Sequence, residues 1–149
     1  MPHFTLQISP AGPVVKALLT VSQARRAALS AAGLPVPANQ SITALVDTGA
    51  SCTSVDPSII AALALQPTGI ASVITPSTGA TPHQTSQYDV GLAIPGATAR
   101  DAALFFPTIA VIGAQLLQAQ GFHALIGRDI LDRCVLVYNG VTKLFTLAY

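Results

Sequence analysis

The run Gln40 to Val46 reads as a strand, and its apolar end Ala44-Leu45-Val46 stops at Asp47-Thr48-Gly49, followed by the small residues Ala50 and Ser51. A strand that ends this way carries a carboxylate into a tight turn. Gly49 permits that turn, because its backbone N–H can approach the carboxylate where a Cβ would obstruct. Far downstream, Ala124-Leu125-Ile126-Gly127-Arg128-Asp129-Ile130-Leu131 places apolar residues, a glycine and an arginine ahead of a short helix. Gly127 there allows close packing of backbone on backbone. Asp-Gly-type turns after strands are common in themselves. The apolar run before Asp47, the small residues after it and the second segment together weigh against an ordinary turn.

Composition narrows the remaining choices. A chain of 149 residues suits one domain, 1–149, with a real core. The net charge of +1 points to neither nucleic acid nor an acidic membrane surface as partner. Charged residues make up 9% and mean hydropathy is +0.59, an apolar excess of the kind a buried subunit interface produces. A membrane span is the rival explanation. Its longest candidate, Ala102 to Leu117, is interrupted by Pro107, Thr108, Gly113 and Gln115 and falls short of the ~20 residues needed, so no membrane partner is expected. The Met1-Pro2-His3-Phe4 start lacks the features of a signal peptide, and Cys52 and Cys134 do not make a disulfide scaffold. Both features favour a cytoplasmic protein with free thiols. His3, His83 and His123 have no ligand spacing, so neither metal nor cofactor is expected.

Along the chain, His3 to Ile8 and Val14 to Val21 read as strands, and Gln23 to Ala32 as a helix capped by Ser22 and ended by Gly33 and Pro35. Asp56-Pro57 opens a second helix, with Asp56 as its cap and Ile59, Ile60 and Leu63 as its buried stripe. Ala71 to Thr75 and Gln87 to Ile94 read as strands around a Ser/Thr/Pro-rich connection that holds His83, an exposed hairpin residue on this reading. Leu104 to Ile112 and Phe122 to Ile126 read as further strands, with a helical turn over Gln115 to Gln120. Asp129 to Arg133 fits a short helix. Asn139-Gly140 between Val135–Tyr138 and Val141–Leu147 is a strong hairpin signal.

The two motifs, in this order, resemble the retropepsin family, the retroviral-type aspartic proteases, and the Ala-rich chain resembles their single-domain bacterial-type members. The resemblance spans about Thr5 to Leu147, with specific motifs at the two segments quoted. It implies an all-β fold (mainly β with a few short helices), a closed acid-protease barrel with a flap hairpin, acting as a homodimer. All six acidic residues are Asp, and only Asp47 stands in an Asp-Thr-Gly or Asp-Ser-Gly setting, so an active site of this type needs two chains. Two carboxylates sharing one proton would then activate water and protonate the leaving nitrogen of an extended peptide.

By the same resemblance, Thr48 hydrogen-bonds across the dimer axis, and Asp47, Thr48 and Gly49 form the catalytic loop. Leu45, Ala50, Ser51, Cys52, Ser54, Phe122, His123 and Leu125 line the cleft, with Ser77, Thr78 and Gly79 above it on the flap. Gly127 and Arg128 are structural. Mostly apolar walls imply apolar side chains around the scissile bond. The chain departs from the viral pattern at Ser51, where an Asp would pair with Arg128, and in its flap, which is richer in Ser, Thr and Pro. Ala50 replaces the hydroxyl residue of many pepsin-like enzymes, and one fewer donor to the carboxylate implies a dyad less acidic than pepsin's. Phe145, Leu147 and Tyr149 alternate as interleaved terminal strands of two subunits would, although an edge strand within one subunit gives the same pattern.

Two other functional classes stay open. The same dimeric fold suits a non-catalytic module that holds an extended peptide or acts as a scaffold. It also suits a zymogen-like domain, monomeric until conditions change. A thiol nucleophile at Cys52 is disfavoured, because no His is placed by sequence to activate it.

Overall fold

The computed structural model describes residues 1–74, 79–116 and 121–149. Alternation in the sequence becomes alternation in burial. Strand β1 (His3–Gln7) is followed by β2 (Val14–Val21), which turns Val15, Ala17, Leu19 and Val21 inward. Helix α1 (Gln23–Ala31) starts where Ser22 Oγ accepts from Arg25 N at 3.3 Å. It ends at Ala32 and at Gly33, whose φ of 66° is accessible to glycine without strain. Strand β3 (Gln40–Val46) then pairs antiparallel with β2 and buries Ile42, Ala44 and Val46.

The remaining elements are β4 (Ser54–Val55), α2 (Pro57–Ala62), β5 (Gly69–Val73), β6 (His83–Ile94), β7 (Leu104–Gly113), β8 (Ala124–Ile126), α3 (Arg128–Leu131), β9 (Val135–Asn139) and β10 (Leu144–Ala148). The larger sheet runs β2-β3-β8-β4-β7-β6-β5, and a further pairing of β2 with β6 closes six of its strands into a barrel. Closure depends on the length of β6. Its first half pairs with β5 and its second half, from Val90 to Ala93, with β2, while β7 pairs along most of its length. A bulge between Val90 and Leu92 marks the change of partner. Gly91 sits in it, where a Cβ would collide with Thr20 Oγ1. Leu19, Ile42, Leu63, Leu92, Val111, Ile126 and Ile130 are essentially inaccessible and fill the interior. Each such side chain contributes about 1.5–3 kcal/mol by burial.

A second sheet, β1-β10-β9, closes the chain, with Phe4, Phe145 and Leu147 buried beneath it. Tyr149 packs edge-on to Phe4, ring centroids 6.3 Å apart. The alternation of Phe145 and Leu147 serves packing within one chain here. β10 is paired on both sides within one chain, so neither of its edges is open to a second copy. The hairpin at Asn139-Gly140 forms, but with a longer turn. Asn139 opposes Leu144, so residues 140–143 make the loop and the strand expected from Val141 starts at Leu144. The Asn139 side chain organises this turn by accepting from Val141 N and Thr142 N at 3.1 and 3.0 Å.

Other boundaries shift where pairing overrides local pattern. β6 begins at His83, which opposes Val73 on a strand rather than standing in the connection. β8 is confined to Ala124–Ile126, and the two-residue β4 has no counterpart in the sequence pattern. Gln115 and Leu116 lie outside any helix, while the rest of that expected turn, and Thr75, lie outside the described residues. No helix among the described residues is long and apolar enough to cross a membrane.

Asp56 caps α2 as its sequence setting implies: Oδ1 accepts from Ser58 N at 2.9 Å, and Oδ2 from Leu116 N at 3.3 Å. The side chain thereby ties the helix start to the end of the β7 segment. Asp56→Ala is expected to lower stability by about 1–2 kcal/mol, read as a lower urea midpoint with an unchanged slope.

Candidate active site

β8 lies between β3 and β4, parallel to β3 (Val46 opposite Ile126) and antiparallel to β4 (Ser54 opposite Leu125). The chain leaving β3 must therefore cross the end of β8 to enter β4. Residues 47–53 make that crossing, directly over Gly127. A Cβ on Gly127 would lie 2.5 Å from the carbonyl carbon of Cys52, 2.6 Å from its oxygen and 2.9 Å from Thr53 N. The crossing can sit this low only over a residue without a side chain.

Backbone and side-chain hydrogen bonds fasten the loop to the second motif. Asp47 N donates to Ile126 O at 3.0 Å, and Arg128 N to Ala50 O at 3.0 Å. Fully buried Thr53 connects the two segments. Its hydroxyl accepts from Gly127 N at 3.1 Å and donates to Asp129 Oδ1 at 2.8 Å, while its N–H donates to Asp129 Oδ2 at 2.9 Å. With Ser51 offering no carboxylate, Arg128 is held by the loop's backbone. Its Nη1 donates to Thr48 O at 3.0 Å and reaches Gly49 O at 3.4 Å.

The loop presents Asp47 half-buried, with Oδ1 accepting from Gly49 N at 2.8 Å. A Cβ on Gly49 would come to 3.1 Å from that oxygen, so glycine is favoured by the carboxylate's proximity. Thr48 and Gly49 are exposed. Asp47 opens into a cleft of about 410 Å³ lined by Gly49, Ala50, Ser51, Cys52, Ser54 and Leu125, and by Val73, Ile74, Ile112 and Ala114. A larger cleft of about 680 Å³ shares Val73, Ile112 and Ala114 and continues to Tyr88 and His83. The smaller one holds the carboxylate and is the one with chemical potential.

Three expected wall residues stand outside that lining. Leu45 is half-buried, and a Cβ on Gly12 would come to 3.0 Å from its side chain. Phe122 is buried. His123 braces the barrel: its N–H donates to Thr43 O at 2.7 Å, its Nδ1 accepts from Thr43 N at 3.3 Å, and its carbonyl accepts from Asp56 N. Gly79 is exposed in a turn at φ 60°, and Ser77 and Thr78 lie outside the described residues.

The sequence reading missed Val73, Ile74, Ile112 and Ala114, and the positioning roles of Thr53 and Asp129. Ile112 reaches the cleft because β7 pairs in parallel with β4, setting it against Ser54. No local pattern announces a two-residue strand. Asp129 did carry a signal, since it directly follows Gly127-Arg128.

Burial pushes the Cys52 thiol above its usual range, and the negative charge of Asp129 raises it further, against a smaller opposing effect of a hydrogen bond with Ser51. Thiolate chemistry at Cys52 is thus disfavoured. Among the described residues Asp47 is the one acidic side chain lining the cleft, and Asp129 is committed to Thr53. Among the described residues no three metal-ligating side chains converge.

No protein-family model matches the chain, and no curated protein matches it in sequence. Among solved structures it is similar to a retropepsin-like aspartic protease from Rickettsia conorii, at 15% identity, over 99% of this chain and 90% of that one, with a TM-score of 0.57. At that identity the likeness is one of fold: the chain has a retropepsin-like architecture, mainly β with a closed barrel.

Two outcomes follow from the loop's fastening. Thr53→Val keeps the shape and the backbone N–H bond to Asp129 Oδ2 but removes the hydroxyl that serves Gly127 N and Asp129 Oδ1, and is expected to cost about 1–3 kcal/mol in chemical denaturation. Cys52, protonated to higher pH than an ordinary thiol, is expected to react with iodoacetamide more slowly at pH 8 than a cysteine in a short peptide. That gap closes as pH rises past the folded-state value.

Proposed function

We propose that the chain is an aspartic endopeptidase that acts as a homodimer, each subunit supplying one Asp47. The observation that carries this reading is the single cleft-lining carboxylate at Asp47, on a loop crossing Gly127, in a retropepsin-like fold. Hydrolysis without a covalent intermediate needs a base to activate water and an acid to protonate the leaving nitrogen. One carboxylate cannot be both at once. Two Asp47 side chains brought together share a proton, because like charges a few Å apart resist double ionisation. The ionised partner then takes the proton from water, and the protonated one polarises the scissile carbonyl.

The substrate is an extended peptide. Leu125, Ile112, Val73, Ile74 and Ala114 make most of the cleft apolar, which supports a preference for apolar side chains beside the scissile bond. Val73 and Ile74 lie at the end of β5, in the hairpin arm that corresponds to a flap, so closure of that arm would exclude water from the cleft. Arg128 contributes by fixing the carbonyls of Thr48 and Gly49, the residues at the turn beside Asp47.

A diverse peptide library tests the reading directly. Wild type is expected to cleave, to be inhibited by a statine-type transition-state mimic, and to lose about 10²–10⁴-fold in rate on Asp47→Asn with its circular dichroism unchanged. No cleavage at any pH by a protein shown to be dimeric would replace the protease with a peptide-binding module.

A further inference from the structure

We infer that the cleft of about 680 Å³ beside the Asp47 cleft is a second substrate subsite, kept open by Gly113, and that it takes a large aromatic side chain of the substrate away from the scissile bond. This inference rests on the proposed protease reading, which supplies the extended peptide.

Gly113 has no backbone reason to be glycine. It ends strand β7 and its φ is not positive. Beyond its chain neighbours, the nearest backbone atom among the described residues, Ser86 O, would lie 4.0 Å from a Cβ placed there. At Gly127, by contrast, backbone atoms bar any side chain. Glycine in a strand weakens it, and it often marks a place where a ligand comes close. What a Cβ on Gly113 would meet is Ile60 Cδ1 at 3.3 Å and Cε2 of the Tyr88 ring at 3.4 Å. The missing side chain therefore leaves a recess between those two residues, and all three line the larger cleft. The recess is fixed in place. Thr85 Oγ1 donates to Gly113 O at 2.8 Å, Ala114 N donates to Val55 O at 3.1 Å, and Ile60 is buried on α2.

The walls choose the occupant. This cleft shares Val73, Ile112 and Ala114 with the one that holds Asp47, so a peptide lying across Asp47 continues into it. An extended chain advances ~3.3 Å per residue and turns alternate side chains to one face, so a residue beyond those flanking the scissile bond reaches the recess. Among the described residues, no Lys, Arg, Asp or Glu lines this cleft, and a charged side chain would be buried there without a counter-charge. Ile60, Val73 and Ile112 make apolar walls, and the Tyr88 ring offers an edge-on or offset contact to a second ring. A small aliphatic side chain would leave most of the volume empty. His83 and Gln115 supply polar atoms for the hydroxyl of a tyrosine or the indole N–H of a tryptophan.

Peptides with a fixed apolar pair at the scissile bond test this. Each more distant position carries Phe, Tyr or Trp in turn, compared by kcat/KM with the same peptide carrying Ala there. Wild type is expected to favour the aromatic residue at one of these positions by about 10-fold or more. Gly113→Val is expected to bring that ratio close to one, and Gly113→Ala, which adds only the Cβ, to lower it. The alanine variant carries the test if the valine variant does not fold by circular dichroism. Wild-type cleavage without such a preference, or a preference unchanged in whichever Gly113 variants fold, would overturn the subsite and leave the protease reading intact. Fluorescence anisotropy of the same peptides, labelled, on Asp47→Asn protein reads binding without hydrolysis. There the aromatic peptide is expected to bind about 10-fold tighter than its alanine counterpart, and Gly113→Val in that background to erase the difference. Aromatic discrimination in binding, with no cleavage by wild type, would keep the subsite and remove the protease. Neither cleavage nor discrimination would remove both.

Discussion

The crossing of residues 47–53 over Gly127 is the constraint on which the rest of the site depends. β8 separates β3 from β4, so a chain running from one to the other has to pass over the end of β8, and the distance between the layers is set by backbone atoms. That contact brings Thr53 under the loop, where one hydroxyl serves Gly127 N and Asp129 together. It also brings the Arg128 guanidinium within reach of the Thr48 and Gly49 carbonyls. With the loop fixed at both ends, Asp47 is held half-buried at the mouth of the cleft instead of swinging freely in solvent. Thr53, Gly127, Arg128 and Asp129 thus act as positioning residues, and none of them lines the cleft.

Barrel closure and cleft formation are coupled through β6 and β7. β6 serves β5 and β2 in succession, and the glycine at its bulge admits the Thr20 side chain at the change of partner. β7 runs from the barrel wall to the cleft and ends against β4, delivering Ile112 and Ala114 beside Asp47. The apolar lining of the cleft is therefore a continuation of the core: Val111 is fully buried while its neighbour Ile112 forms cleft wall. The high mean hydropathy of the chain is partly explained by this cleft and partly by the uncovered side chains of β9.

Much of the fold was legible. Ser22 and Asp56 cap helices where their sequence settings imply, and the runs Val14–Val21 and Gln40–Val46 form the strands expected of them. These are local effects of rotamer, cap and alternation, so a short window contains the information. The hairpin at Asn139 was legible in kind but not in length, because the Asn139 side chain bonds two successive N–H groups and widens the turn to four residues. The roles of Phe122 and His123 were not legible: whether a strand's side chains face a cleft or brace a barrel depends on which neighbours flank it, here β3 and β4.

From sequence alone the chain determined its catalytic candidate, Asp47, and the two motifs around it, because a tight turn with a carboxylate and a glycine leaves few residue choices. It determined equally that only one such carboxylate exists per chain. Only the tertiary structure decided what holds that carboxylate and what surrounds it. The Thr53–Asp129 link spans 76 residues and the Arg128–Thr48 link 80, and the closure of β10 on both sides joins the two ends of the chain. Contacts over such separations are fixed by how strands pair once the whole barrel has closed, and no local pattern of side chains encodes that pairing.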